Sequence, residues 1–297
     1  MATNALEYVP SRPVCAETAG ACTGVWSELM AEPATMDLLT FLLRRSDALS
    51  GLDKGATESV VQSLEILVLD CEGAGQIDWA AVAKSDLATI YSQGQEKSEA
   101  KTLIEEAYRT VYAARPGNPL LIMLVLHNRG AVSERLGDTA ESLDWFWEAA
   151  EYARTQEMLR LRFKTETPLD FIFFEVGAAS LETIANHYRT SEKNLDHARN
   201  LFHDTIRWLD IALNSCKGLK LPTAALLRRK ATLLTVLGDL EREAGNLLEA
   251  RVNLIRAANL LVRVGDLQDT YRVLLIARIC ECHFSPAREI IAEKLTD

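Results

Sequence analysis

Apolar residues recur every three or four positions through most of this 297-residue chain. Residues three or four apart share one face of an α-helix, so such a series predicts an amphipathic helix. The strict alternation of apolar and polar residues that is typical of half-buried strands does not occur. The pattern therefore predicts an all-α protein. The clearest series are Leu38, Phe41 and Leu42, then Val60, Leu64 and Leu67, and later Leu226, Leu227, Leu233, Leu234, Leu237 and Leu240.

Prolines are few, and they leave long stretches of chain free to form helices. Three of the eight prolines lie in residues 1–33, and none lies between Pro33 and Pro116. Proline interrupts a helix because it lacks the backbone N–H and its ring clashes with the preceding turn. We therefore predict a mobile N-terminal tail over residues 1–34, followed by about a dozen helices in a domain spanning residues 35–297.

Four segments share a longer pattern of small and large residues. A small residue early in a first helix lets a second helix approach closely, a second small residue lies where the helices cross, and a large residue fills the remaining space. The four sets are Gly238, Ala250, Leu254 and Ala257; Gly130, Ser142, Phe146 and Ala149; Ala88, Ala100, Ile104 and Ala107; and Ala185, Ala198, Phe202 and Ile206.

Two glycines mark the turns inside the clearest segments. Gly137 and Gly245 fit the end of a first helix, where a left-handed residue closes the last turn. Asp138 and Asn246 follow them and are predicted to cap the second helix.

These segments resemble tetratricopeptide repeats, helix–turn–helix units of about 34 residues. The resemblance implies stacked antiparallel helical hairpins in a right-handed superhelix. Arg129 departs from the repeat pattern, which usually has leucine at that position. The clearest repeats span about 81–114, 123–156, 178–212 and 231–264, with a leading helical pair over 36–75 and a trailing pair over 266–296, in which Leu274, Leu275 and Ile276 are expected to be buried.

The same resemblance implies a function. In tetratricopeptide proteins the first helix of each pair lines a concave groove that binds a peptide segment of a partner. We therefore expect a non-enzymatic scaffold for one or more proteins, or a subunit of a larger complex. The expected groove residues are Ser85, Thr89, His127, Glu134, Glu182, Asn186, Thr235, Asp239 and Arg242.

One subfamily of these proteins binds the C-terminal carboxylate of chaperones through a Lys/Asn/Arg clamp. Ser85 and Thr89 replace Lys and Asn at the matching positions, and Asn128 alone fits. We therefore do not expect a chaperone-binding site.

A narrower resemblance involves residues 174–177, 198–213 and 227–240. These stretches are similar to the meiotic crossover-promoting TPR scaffold family of fungi, plants and animals. That resemblance implies a nuclear scaffold on meiotic chromosomes. A third alternative, from a different class, is a helical regulatory protein that binds a small ligand between repeats.

Charge is unevenly distributed along the chain, whose net charge is −10. Residues 1–100 carry 15 acidic and 6 basic side chains, whereas residues 201–297 carry 12 and 14. An acidic chain is not expected to bind nucleic acid directly. The acidic front is either a solvated surface or a surface for basic partners.

Residues capable of catalysis or metal binding form no recognisable motif, and we expect no cofactor and no metal site. Cys280 and Cys282 are two positions apart, so on a helix their thiols point away from each other. The basic run Arg228-Arg229-Lys230 is interpreted as a solvent-facing helix start. Trp145 and Trp147 flank the core residue Phe146 and are either core residues or binding anchors.

Six irregularly spaced cysteines are typical of free thiols in a reducing compartment. The longest uncharged apolar stretch, Pro116 to Asn128, is too short to span a bilayer. We therefore expect a cytoplasmic or nuclear protein that is neither secreted nor membrane-bound.

Overall fold

The computed structural model describes residues 37–284, apart from 50, 53–54, 114–117, 165–166, 168 and 219–222. Within these residues every regular element is an α-helix, which confirms the predicted all-α fold class. The predicted tail over residues 1–34 lies outside the described residues. The right-handed superhelix stays a prediction.

Eleven helices occur in the described part of the chain, close to the predicted number. Most are joined by short turns. Helices that follow one another in the chain pack against each other, both in the N-terminal part of the described chain and in its C-terminal part. The helices are α1 Leu38–Leu49, α2 Thr57–Gly73, α3 Ile77–Tyr91, α4 Lys97–Ala113, α5 Pro119–Leu136, α6 Thr139–Phe163, α7 Asp170–Thr190, α8 Leu195–Gly218, α9 Ala224–Glu243, α10 Leu247–Arg263 and α11 Leu267–Phe284.

The chain divides into two compact units, residues 1–149 and residues 150–297. The first contains α1 to α5 and the N-terminal part of α6. The second contains the rest of α6 and α7 to α11. Each unit has its own core of helices that meet at small residues.

In the first unit, α5 and α6 approach each other at Gly130. A Cβ atom on Gly130 would lie 2.9 Å from the Phe146 ring, closer than side-chain carbons normally come. Ser142 and Phe146 are both buried, as the small and large positions of the repeat pattern predict. Hydrogen is therefore the only side chain that this crossing accepts without a shift of Phe146.

The second unit contains two contacts of the same kind. A Cβ on Gly238 of α9 would lie 2.8 Å from Leu254 of α10. A Cβ on Gly177 of α7 would lie 2.4 Å from the Cβ of Ala153 and 3.0 Å from the buried Trp208 ring. The predicted role of small residues at helix crossings is thus confirmed at Gly130 and Gly238, and it extends to Gly177.

The turn glycines behave as predicted. Gly137 and Gly245 have φ angles of +92° and +81°, in the left-handed region that favours glycine. After Gly137, the carboxylate of Asp138 accepts a hydrogen bond from the Glu141 amide at 3.2 Å and caps α6. Asn246 is the N-cap residue of α10 as predicted, but its side chain makes no cap hydrogen bond, and its amide donates to Glu241 at 2.7 Å instead.

The end of the described chain differs from prediction. Leu274 and Leu275, which were expected to be buried, are 45% and 54% exposed. The buried face of α11 instead carries Val273, Ala277 and Cys280. The sequence of α11 is apolar on two faces, so periodicity alone did not show which face packs on α10. The second helix of the predicted trailing pair lies outside the described residues.

Gly177→Ala is expected to lower the free energy of unfolding by about 2 kcal/mol, because the added methyl group overpacks the contact with Ala153 and Trp208. Gly218→Ala, at the end of α8, is the control, since a Cβ there meets nothing within 4 Å. That variant should be neutral or stabilising by less than about 1 kcal/mol. Urea unfolding measures both, and equal effects would contradict the close contact at Gly177.

Candidate functional site

The repeat pattern assigns one face of each first helix to a groove. On α9 this face is accessible to solvent. The opposite face of α9 is buried, with Leu234 and Leu237 in the core of the second unit. The accessible positions recur at intervals of four and three residues, so they form one stripe. We call this the α9 stripe: Arg228, Thr232, Thr235, Asp239 and Arg242.

Three of the nine predicted groove residues, Thr235, Asp239 and Arg242, therefore lie on one accessible surface. The sequence reasoning missed Arg228 and Thr232, which extend this surface toward the start of α9. The signal was present, because both residues continue the same helical spacing upstream of Thr235.

Charges of both signs occur along the α9 stripe. Arg242 lies 3.5 Å from Asp239 one turn away, and Arg228 lies 3.7 Å from Asp266 at the start of α11. Exposed ion pairs contribute little net stability, because water solvates the separated charges almost as well. These side chains are therefore available to form ion pairs with an incoming polypeptide.

Ser85 and Thr89 do not line an open groove. Both are buried, and each hydroxyl donates to a carbonyl of its own helix: Ser85 to Val82 at 2.7 Å and Thr89 to Ser85 at 3.0 Å. Buried hydroxyls present no atom at the surface, so this conformation gives no support to the prediction that they contact a partner. Almost the whole of α3 is enclosed in the same way.

Asn128, the one residue that fitted the carboxylate clamp, also serves the interior. Its amide donates to Ser85 Oγ and to Asp86 Oδ1, each at 2.8 Å. The same Asp86 receives two hydrogen bonds from Arg45 of α1, at 2.5 and 2.6 Å. This buried network ties α1, α3 and α5 together.

His127 and Glu134, both on α5, have different surroundings. His127 is buried, with its ring 5.3 Å from that of Phe146, so it is part of the core of the first unit. Every residue from Leu120 to Gly130 is buried, which leaves no groove-facing side on this part of α5. Glu134, in the last turn of the helix, is exposed.

Glu182 and Asn186 lie on α7. Glu182 is buried and accepts hydrogen bonds from Nε and Nη2 of Arg229 at 3.0 and 2.6 Å. Asn186 is half-buried. In this structure Glu182 joins α7 to α9 through Arg229.

The basic run at the start of α9 does not form a basic surface. Arg228 is exposed, but Arg229 pairs with Glu182, and the buried Lys230 pairs with Asp210 of α8. The prediction of a solvent-facing helix start is thus wrong for two of the three residues. Consecutive helical residues point about 100° apart, so the three cations have different partners.

The departure at Arg129 has a structural explanation. Its guanidinium lies between the rings of Tyr108 and Trp145, 4.1 and 3.9 Å from their centroids. Glu105 accepts a hydrogen bond from the same group at 2.5 Å. Cation–π contacts and an ion pair thus replace the aliphatic packing of the usual leucine, and Trp145 is half-buried against Arg129.

Two buried cysteine thiols, Cys71 and Cys280, are poor nucleophiles. Burial raises the pKa of Cys71 to about 11, and burial also raises the pKa of Cys280. The reactive form of cysteine is the thiolate, so both side chains remain as thiols at neutral pH. Among the described residues, no group of three or more His, Cys, Asp or Glu side chains is placed to hold a metal ion.

Comparison with known proteins gives no relative. No protein-family model matches the chain, and no curated protein matches it. Over the described residues, none of the helices has the length and apolar character that crossing a membrane requires.

The buried network of Arg45, Asp86 and Asn128 predicts how a substitution changes the free energy of unfolding. Asp86→Asn removes the charge that balances Arg45, and breaking a buried pair in this way should lower the free energy of unfolding by about 3 kcal/mol. Asp70→Asn is the matched control, because Asp70 pairs with Arg44 at the same 2.5 Å but is exposed. Its effect should stay below about 1 kcal/mol in urea unfolding. A similar loss in both variants would contradict a structural role for Asp86.

Proposed function

We propose that this protein is a non-enzymatic scaffold of the tetratricopeptide type that binds a segment of a partner protein along the α9 stripe. The observation that carries the proposal is that, among the described helices, α9 presents three predicted groove residues on one accessible surface. The corresponding positions on α3 are buried, and those on α5 and α7 are buried at His127 and Glu182. Partner binding along the first helices of the hairpins is therefore concentrated on α9.

The dimensions and chemistry of the α9 stripe define the partner. From Arg228 to Arg242 the stripe is about 20 Å long, since a helix rises about 1.5 Å per residue. An extended peptide of about six residues matches this length. Arginine at both ends and Asp239 between them suit a segment with acidic residues near its ends and a basic or hydrogen-bonding residue between them.

A meiotic chromosome scaffold remains a more specific version of this proposal. The residues that carry that resemblance include Gly177 and Trp208, which are packing residues in this structure. Trp208 is fully buried, and its indole N–H donates to Glu157 at 2.9 Å. A packing role accounts for these residues in any helical array, so the meiotic role and the cytoplasmic or nuclear location stay predictions.

The alternative of a small-ligand regulator is supported by one cavity. A depression of about 400 Å³ lies between α1 and α2, within the size range of ligand pockets. Arg44, Asp47, Ser59 and Ser63 give it a polar lining. A ligand that raises the melting temperature of the purified chain, with the rise lost in Ser63→Trp, would favour this alternative.

Arg242→Glu should weaken binding of the partner segment, because it replaces one positive end of the stripe with a negative charge. Arg154→Glu is the matched control: the two arginines are 44% and 40% exposed, and each pairs with an acid three residues earlier. A photo-crosslinking residue at position 235 of the full chain identifies the partner by mass spectrometry. The same partner should then bind the Arg154 variant normally and the Arg242 variant at least about tenfold more weakly.

Two results would contradict the proposed function. One is a crosslinked partner whose affinity falls equally in both arginine variants. The other is turnover of a substrate by the purified chain, which would exclude a purely non-enzymatic role.

A further inference from the structure

The outward face of α10 carries a row of aliphatic side chains that remain accessible in the described part of the chain. Leu248, Val252 and Val262 are between 48% and 55% exposed. Ile255 is half-buried and Asn259 is exposed in the same row. We call these five residues the α10 seam. The outer face of a repeat helix is normally polar, so an aliphatic row here needs a separate explanation.

The spacing of the α10 seam is that of a coiled coil. Its members follow each other at intervals of four, three, four and three residues, which are the a and d positions of a heptad. Leu248, Ile255 and Val262 occupy d positions, while Val252 and Asn259 occupy a positions. A single asparagine among aliphatic a and d residues is a typical device that fixes the register of a helix pair.

Packing within the second unit uses a different face of the same helix. Ala250, Leu254, Ala257 and Leu261 are buried and face the rest of the unit. The α10 helix therefore has one face that packs within the second unit and another that is largely accessible among the described residues.

Basic side chains border the α10 seam. Arg256 and Arg263 occupy the e positions beside it, and Arg251 occupies a g position, with Glu249 as the one acidic neighbour. Within the described part of the chain, neither Arg256 nor Arg263 takes part in an ion pair. Residues at e and g set partner choice, because they meet the corresponding charges of the other helix.

We propose that the α10 seam docks an amphipathic helix of another protein, one with an aliphatic heptad stripe flanked by Glu or Asp. The aliphatic positions give the docking energy, the arginines select an acidic helix, and Asn259 sets the register through a polar partner residue. This surface lies on a different helix from the α9 stripe and does not depend on the function proposed for that stripe.

A second copy of this chain fits the α10 seam less well. In a parallel pair, a g residue lies beside the e residue of the next heptad in the partner, which brings Arg251 against Arg256. In an antiparallel pair, a positions pack on d positions, so the Asn259 amide would be buried against an aliphatic side chain without a hydrogen-bond partner. An acidic helix from another protein avoids both costs.

The test uses two labelled synthetic helical peptides and the full chain. Both peptides have Leu or Ile at a and d and one Asn at an a position; one has Glu at every e and g position, and the other has Lys. Fluorescence anisotropy should show that the Glu peptide binds at least about tenfold more tightly than the Lys peptide. The double variant Arg256→Glu/Arg263→Glu should reverse this preference.

Matched variants separate the α10 seam from other exposed apolar residues. Val252→Asp should abolish binding of the Glu peptide, whereas Leu69→Asp, at an exposed leucine of α2, should leave it unchanged. Both positions are exposed, so thermal melting should show that both variants stay folded. Equal binding of the two peptides, no binding of the Glu peptide, or no effect of Val252→Asp would overturn the proposal. A dimer in sedimentation equilibrium that Val252→Asp dissociates would overturn it in favour of a second copy.

Discussion

Close approach between helices at residues with little or no side chain is the constraint on which the rest of this structure depends. At Gly130, Gly177 and Gly238 there is no room for even one methyl group, because an aromatic ring or a leucine of the next helix fills the space. Helices that approach so closely exclude water from most of their surface. Long stretches of α3 and α5 in the first unit, and of α7 in the second, are consequently buried on all sides.

That enclosure explains why polar residues of α3, α5 and α7 serve the interior. A buried polar group is stable only when a partner satisfies it, and a buried charge needs an opposite charge. Asp86 meets this requirement with Arg45 and Asn128, and Glu182 meets it with Arg229. Ser85 and Glu182, at predicted groove positions, therefore link neighbouring helices through Asn128 and Arg229.

The sequence predicted features that depend on one helix or one turn. Helical spacing identified Leu234 and Leu237 as core residues, and the repeat pattern identified the left-handed conformation of Gly137. Features that depend on which neighbour covers a face were not predictable. Ser85 is a polar residue at a predicted groove position, yet it is buried because neighbouring helices enclose α3. Leu274 belongs to a helix with two apolar faces, and only the packing of α10 against Val273 decides which face is buried.

Exposed aliphatic faces occur on α10 and α11, at the C-terminal end of the described chain. Stability requires each repeat helix to bury one face against its neighbours, and α10 and α11 satisfy that requirement with Ala250, Leu254, Val273 and Ala277. The outer aliphatic residues of both helices are largely exposed, and exposed aliphatic rows promote nonspecific association. Charged residues beside such a row limit unwanted contacts and permit those of complementary charge. The arginines beside the α10 seam have this arrangement, which is why its chemistry favours selective contact with an acidic helix.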